Sequence, residues 1–113
     1  MIKLIVAIKR HADMSPEQFH HYWRTEHAQK VRSIPACARY VRRYVQAHTL
    51  AEEYASGEPS YDGTAELWFD SIADKDRFYS DPEYLAIVAP DERVFADMEQ
   101  TRFFMTREET AVG

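Results

Sequence analysis

The chain has 113 residues, of which 14 are basic and 19 acidic, for a formal net charge of −5. That length makes one domain, residues 1–113, with a real core but one that a partner subunit would help to bury. The acidic balance supplies no field for nucleic acid or an anionic membrane, and the single cysteine, Cys37, excludes an intrachain disulfide.

Ile2 to Lys9 reads as a strand that is apolar on both parities, at Ile2, Leu4, Val6 and Ile8 and again at Ile5 and Ala7, so both its faces look covered. The apolar start Met1 to Ile8 is too short for a secretory h-region plus cleavage site and is broken up by Lys3, Lys9 and Arg10; the expected compartment is the cytoplasm. A helix follows, from about Pro16 to Ser33. Ser15 is its N-cap, Pro16 takes the first helical position, Gln18 completes a capping box, and Pro35 marks its end. At 100° per residue Phe19, Trp23, Lys30 and Ile34 fall within an arc of roughly 60°, with Tyr22 and Glu26 on one flank and His27 and Val31 on the other. His27 therefore faces the core or its margin, where an imidazole either fills space or moves protons.

Tyr40 to His48 reads as a second strand, with Val41, Val45 and Ala47 on one face and Tyr40, Arg42, Tyr44, Gln46 and His48 on the other. A loop from Glu52 to Asp62 leads to a third strand, Thr64 to Phe69, whose parity sets Ala65, Leu67 and Phe69 against Glu66 and Trp68. A second helical region starts near Ser71, stops at Asp81-Pro82, restarts through Tyr84, Leu85 and Val88, and is bent or broken at Pro90. Thr101 to Thr106 is the last strand, aromatic or apolar on both parities.

The order β-α-β-β-α-β is the split βαβ, ferredoxin-like plan: an α+β fold with a four-stranded antiparallel sheet and both helices on one face. The other face is left bare, although the first and last strands are apolar on that side too. A second copy of the chain, packed sheet to sheet about a two-fold axis, is its expected cover, so the chain is expected to be a homodimer.

Four stretches in order, Met14 to Ala28, Arg42 to His48 (R-R-Y-V-Q-A-H), Asp62 to Asp70 (D-G-T-A-E-L-W-F-D) and Arg102 to Thr106 (R-F-F-M-T), resemble the EthD family of the dimeric α+β barrel superfamily. The resemblance implies a ferredoxin-like protomer and a dimer whose sheets form a barrel. Superfamily relatives include cofactor-free polyketide cyclases, a muconolactone isomerase and cofactor-independent quinol oxygenases. By that resemblance His27 stands where the isomerase carries a functional histidine, and Tyr40 or Tyr44 takes the place of its strand tyrosine.

These readings define candidates, each with a structural alternative. His27 is a proton carrier working next to a carbonyl, or a satisfied core histidine. Tyr44 or Tyr40 holds a developing enolate oxygen, or packs the barrel. His48 is a second candidate base, and Glu66 either orients an imidazole or pairs with Arg42 or Arg43 across the strands. Tyr22, Trp23 and Trp68 are the expected wall of a pocket for a flat ring. His20 and His21 point about 100° apart on a helix and cannot close on one ion, so no metal is expected. With three glycines in the chain, no phosphate loop, no G-x-S-x-G elbow and no CxxC pair, no cofactor is expected either. The expected partner is a small hydrophobic molecule. The leading functional reading is a cofactor-independent lyase, cyclase or isomerase; a non-catalytic binding module and a quinol-type monooxygenase are the alternatives.

Overall fold

The computed structural model describes residues 1–113. Strand β1 (Ile2–Ile8) leads into helix α1 (Pro16–Tyr22), which begins where its cap residues dictate. The Gln18 backbone N–H donates to Ser15 Oγ at 3.1 Å and the Ser15 N–H donates back to Gln18 Oε1 at 2.9 Å. The helix then widens into a π turn (Trp23–His27) before resuming as α2 (Ala28–Ser33). Ile34, held extended by the proline after it, separates α2 from a short α3 (Pro35–Tyr40).

Strand β2 (Arg43–His48), a 3₁₀ segment (Ala51–Ser56) and β3 (Gly63–Phe69) come next. Helix α4 (Ile72–Tyr79) is capped by Ser71; a second π turn (Tyr84–Val88) runs into α5 (Ala89–Phe95), and β4 (Arg102–Thr106) closes the chain. The strands form one antiparallel sheet in the order β2-β3-β1-β4, which is the ferredoxin-like arrangement. No helix is long and apolar enough to cross a membrane.

Register assigns every strand side chain to a face, because side chains alternate along each strand. Tyr44, Leu67, Leu4 and Met105 form one row across the sheet, and Gln46, Ala65, Val6 and Phe103 the next; both face the helices. Arg43, Trp68, Lys3 and Thr106, then Val45, Glu66, Ile5 and Phe104, make the rows of the outer face. The core lies between sheet and helices, around Trp23, Phe19, Phe69, Phe78 and Phe95.

Three expectations change. Tyr40 ends a helix and is not a strand residue, because the Pro35 start signal nucleates α3 and delays β2 to Arg43. The inward stripe of the first helix is Phe19, Trp23, His27, Val31 and Ile34, with Lys30 turned to the rim. The π turn causes this shift, since an i→i+5 turn takes up more chain than an α turn and moves the apolar phase. Glu66 pairs with Lys3 at 2.9 Å and not with Arg42 or Arg43: Lys3 is its close neighbour across β1, whereas Arg42 reaches Asp70 and Arg43 lies over the Trp68 ring.

Candidate active site

The two π turns sit over the same region of the sheet. Each buries its first and last residue, Trp23 with His27 and Tyr84 with Val88, and all four border one cavity of about 50 Å³ between helices and sheet. π turns are rare and recur at functional sites, because the extra residue re-aims side chains that a regular helix would place elsewhere. Of the 18 residues lining the cavity 15 are hydrophobic, and the other three are His27, Glu92 and Thr101. Met98 and the part-exposed Phe103 also line it, and Phe103 carries the lining out to the surface.

His27 is 6% exposed. Its Nδ1 lies 2.8 Å from Asp91 Oδ2 and its ring packs on Phe95 at 4.6 Å. Asp91 is an acceptor only, so Nδ1 carries the proton and Nε2, which has no protein partner, keeps its lone pair. Burial lowers the His27 pKa below its ordinary value despite the Asp91 carboxylate beside it, which keeps the ring neutral at pH 7. Burial alone would raise Asp91. Hydrogen bonds from the Tyr22 hydroxyl, from Lys30 Nζ at 2.9 Å and from His27 outweigh it and hold the carboxyl below the usual range. The result is an oriented neutral base backed by a fixed anion, with Lys30 closing the far side of the carboxylate.

Tyr44 reaches the same cavity from β2. Its hydroxyl oxygen accepts from Gln46 Nε2 at 2.8 Å, which leaves the phenolic hydrogen for a ligand. Burial raises its pKa, so it stays a donor across the neutral range. Trp23 is fully buried in the cavity wall, and its carbonyl accepts from the same Gln46 amide at 2.9 Å.

The remaining candidates stand apart from the cavity. Tyr40 packs against the core edge without reaching it. His48 shares the helix-facing side of β2 but contacts His20, Nδ1 to Nδ1 at 2.6 Å, with its Nε2 at 2.9 Å from Gln46 Oε1. His20 Nε2 in turn meets the Tyr54 hydroxyl at 3.0 Å, and Tyr54 donates to the buried Asp62 at 2.6 Å. Glu66 and Trp68 lie on the outer sheet face, where the Trp68 indole donates to Glu108 at 2.7 Å. Tyr22 donates its hydroxyl hydrogen to Asp91 and is not part of the cavity wall. No cluster of three or more His, Cys, Asp or Glu side chains is placed to hold a metal ion.

Sequence reasoning missed Asp91 and Glu92. In A-P-D-E two acids follow a proline, the ordinary look of a helix start, where carboxylates favour the dipole and stay solvated. Neighbours on a helix point about 100° apart, so Asp91 turns to the first helix while Glu92 turns to Tyr84 and the cavity.

The EthD domain family matches this chain over residues 11–99. Among solved structures, an EthD family protein from Bacillus halodurans C-125 superposes with a TM-score of 0.71 at 20% identity, covering 96% of this chain and 99% of that one. A dimeric ferredoxin-like protein of unknown function from Bacteroides fragilis gives 0.69 at 16% identity, covering 95% of both chains. SnoaB, a cofactor-independent oxygenase from Streptomyces nogalater, gives 0.63 at 13% identity, covering 97% and 95%. At these identities the likeness speaks to the fold. A search of curated proteins finds no match.

Proposed function

The chain belongs to the EthD family, and from that premise we propose that it is a cofactor-independent enzyme of lyase, cyclase or isomerase type, acting on a hydrophobic carbonyl-containing or aromatic metabolite. The observation that carries this reading is the His27–Asp91 pair: a buried neutral imidazole, fixed in one tautomer, with an unpartnered Nε2 on an apolar cavity. In His27 one ring nitrogen is bound and oriented while the other is left free on a residue that lines the cavity, the arrangement a general base needs. In the proposed reaction Nε2 removes a proton next to the carbonyl and returns it elsewhere, Asp91 stabilises the imidazolium between the two steps, and the Tyr44 hydroxyl hydrogen-bonds the enolate oxygen. The working unit is a homodimer joined through the outer sheet face. Tyr40, His48, Glu66 and Trp68 have no part in this mechanism.

A second reading is favoured by one fold neighbour being a cofactor-independent oxygenase: the same base would deprotonate a quinol for reaction with oxygen. The test of both is a thermal-shift screen of wild type and His27→Ala against phenols, β-dicarbonyls, lactones and quinols, with mass spectrometry on every hit and oxygen uptake on the quinols. Turnover by wild type and binding without turnover by the variant supports the enzyme. Equal binding by both proteins and no product makes the chain a binding module.

A further inference from the structure

The His27 mechanism leaves the one carboxyl on the cavity unused. Glu92 borders it from α5. Its Oε1 accepts from the Tyr84 hydroxyl, while Oε2 has no protein partner and no cation pairs with the carboxyl. Tyr79 and Tyr44 border the same cavity, and no protein group bonds the Tyr79 hydroxyl. An otherwise apolar cavity thus has a pole made of one carboxyl and three phenols. No lysine or arginine lines it: Lys30 is held outside by Asp91, and the guanidinium of Arg93 lies on the exposed side of α5.

We infer that Glu92 is a second acid–base group of this site, and that the site selects an uncharged ligand carrying a hydroxyl or carbonyl while rejecting carboxylates and phosphates. This rests on the cavity being the substrate site. An anion entering it would lose its hydration with no cation to replace it, beside a carboxyl already short of partners. A neutral oxygen group instead completes what the pole lacks, an acceptor for the Tyr44 and Tyr79 hydrogens and a partner for Glu92 Oε2. Burial raises the Glu92 pKa above its ordinary value, which favours its protonated form more than in a solvated carboxyl, and burial likewise raises Tyr79 and Tyr84, with Glu92 adding to both. His27 and Glu92 are then two groups on one cavity with pKa values displaced towards each other, as a base and an acid that must both work near pH 7 require.

The step balances. His27 Nε2 takes the proton from the carbon beside the carbonyl, the C–H electron pair becomes the new C=C bond, and the carbonyl π pair moves onto oxygen, which takes the proton of Glu92. Imidazolium, carboxylate and enol result. In a substrate with a further C=C beyond the acidic carbon the product is a dienol: its remote carbon takes the imidazolium proton as the double bonds shift, the carbonyl re-forms, and return of the enol proton to Glu92 restores both groups and leaves the conjugated isomer.

The test is calorimetric titration of wild type, Glu92→Gln and Tyr84→Phe with 2-naphthol and 2-naphthoate between pH 5 and 8. Wild type should bind the naphthol at least ten-fold more tightly than the naphthoate at pH 8, and the gap should narrow as pH falls and Glu92 takes up its proton. Glu92→Gln should show a gap at pH 8 at least three-fold smaller than that of wild type. Whatever pH response remains in that variant belongs to His27, which lines the cavity, and to Asp91 behind it, since the Arg93 guanidinium keeps its charge throughout this range. Tyr84→Phe keeps the carboxyl and should keep the preference, which separates a charge effect from a packing defect. Naphthoate bound as well as naphthol, no binding of naphthol by wild type, or the same selectivity and pH response in Glu92→Gln overturns the inference. Turnover by His27→Ala bears on the proposed function alone, because the naphthol-to-naphthoate ratio reads binding and not the base.

Discussion

His27 Nδ1 and Asp91 Oδ2 meet at 2.8 Å across 64 positions of sequence, and this one contact decides which imidazole nitrogen can act as a base. The expected tautomer has the proton on Nδ1, readable in ¹⁵N imidazole spectra at pH 7. Asp91→Asn can present an N–H to the ring and favours the other tautomer, so those spectra should show Nε2 protonated. Once a turnover substrate is found, Asp91→Asn and His27→Ala should each lower kcat by about 10² to 10⁴ with a smaller change in KM. A loss of ten-fold or less for His27→Ala would remove it from the chemistry.

Acid should begin to destabilise the protein as pH falls through the ordinary histidine range. Burial, then the facing His20 ring, push His48 down to about 4; burial also lowers His20 and His27. A histidine whose folded pKa lies below its unfolded value near 6.5 binds fewer protons folded than unfolded. It costs nothing above pH 6.5 and draws stability away as pH falls from there towards 4. The melting temperature should therefore drop steadily between pH 7 and 4.5. In His48→Gln, which keeps an amide where the neutral ring stood, the decline should be shallower. Parallel curves for the two proteins would mean that His48 titrates as a solvated group.

What could be read in the sequence was what local chemistry decides. Ser15, Pro16 and Gln18 start the first helix as their capping roles require, and strand parity places Tyr44, Gln46 and His48 together on the helix side of β2. The π turns were not legible, because no residue in W-R-T-E-H or Y-L-A-I-V encodes a widened turn. They widen the helices at Trp23–His27 and Tyr84–Val88, and the first and last residues of each are buried. Asp91 was hidden for a related reason: its three partners, Tyr22, His27 and Lys30, lie on the first helix and are assembled only by packing. Parity grouped Glu66 with Trp68, as the register has them, but alternation alone does not say which side of the sheet the helices cover, and both residues lie on the side away from them.

Gly63 carries a packing constraint that ties the site to the sheet. A Cβ there would stand 2.5 Å from the Ala47 carbonyl oxygen and 2.6 Å from the Trp23 ring. Neither can retreat easily, since Ala47 pairs with Thr64 beside it and Trp23 is fully buried. Gly63→Ala should cost about 2–3 kcal/mol, the upper range for overpacking, read as a lowered melting temperature. It should also weaken any cavity ligand, because the Trp23 wall must shift. Gly57 serves as the control: its φ of 122° favours glycine but nothing lies within 4 Å of its Cβ position. Gly57→Ala should lower stability without touching ligand affinity.

The outer sheet face gives the sharpest test of assembly. Val45, Ile5 and Phe104 share a row there, and Phe104 remains 49% exposed in the single chain, an aromatic that a finished surface would seldom leave uncovered. In a two-fold interface each substitution is made twice, so Phe104→Asp sets two buried charges against the same seam. Sedimentation should show wild type as a dimer and the variant with its dissociation constant raised at least about 30-fold, the loss of a strong interface anchor. The His27 imidazole signals should stay unchanged in the variant, because the cavity lies on the other side of the sheet. A variant that remains dimeric would move the interface to another surface. A variant that loses the His27 tautomer along with its partner would show instead that the pairing of copies shapes the cavity itself.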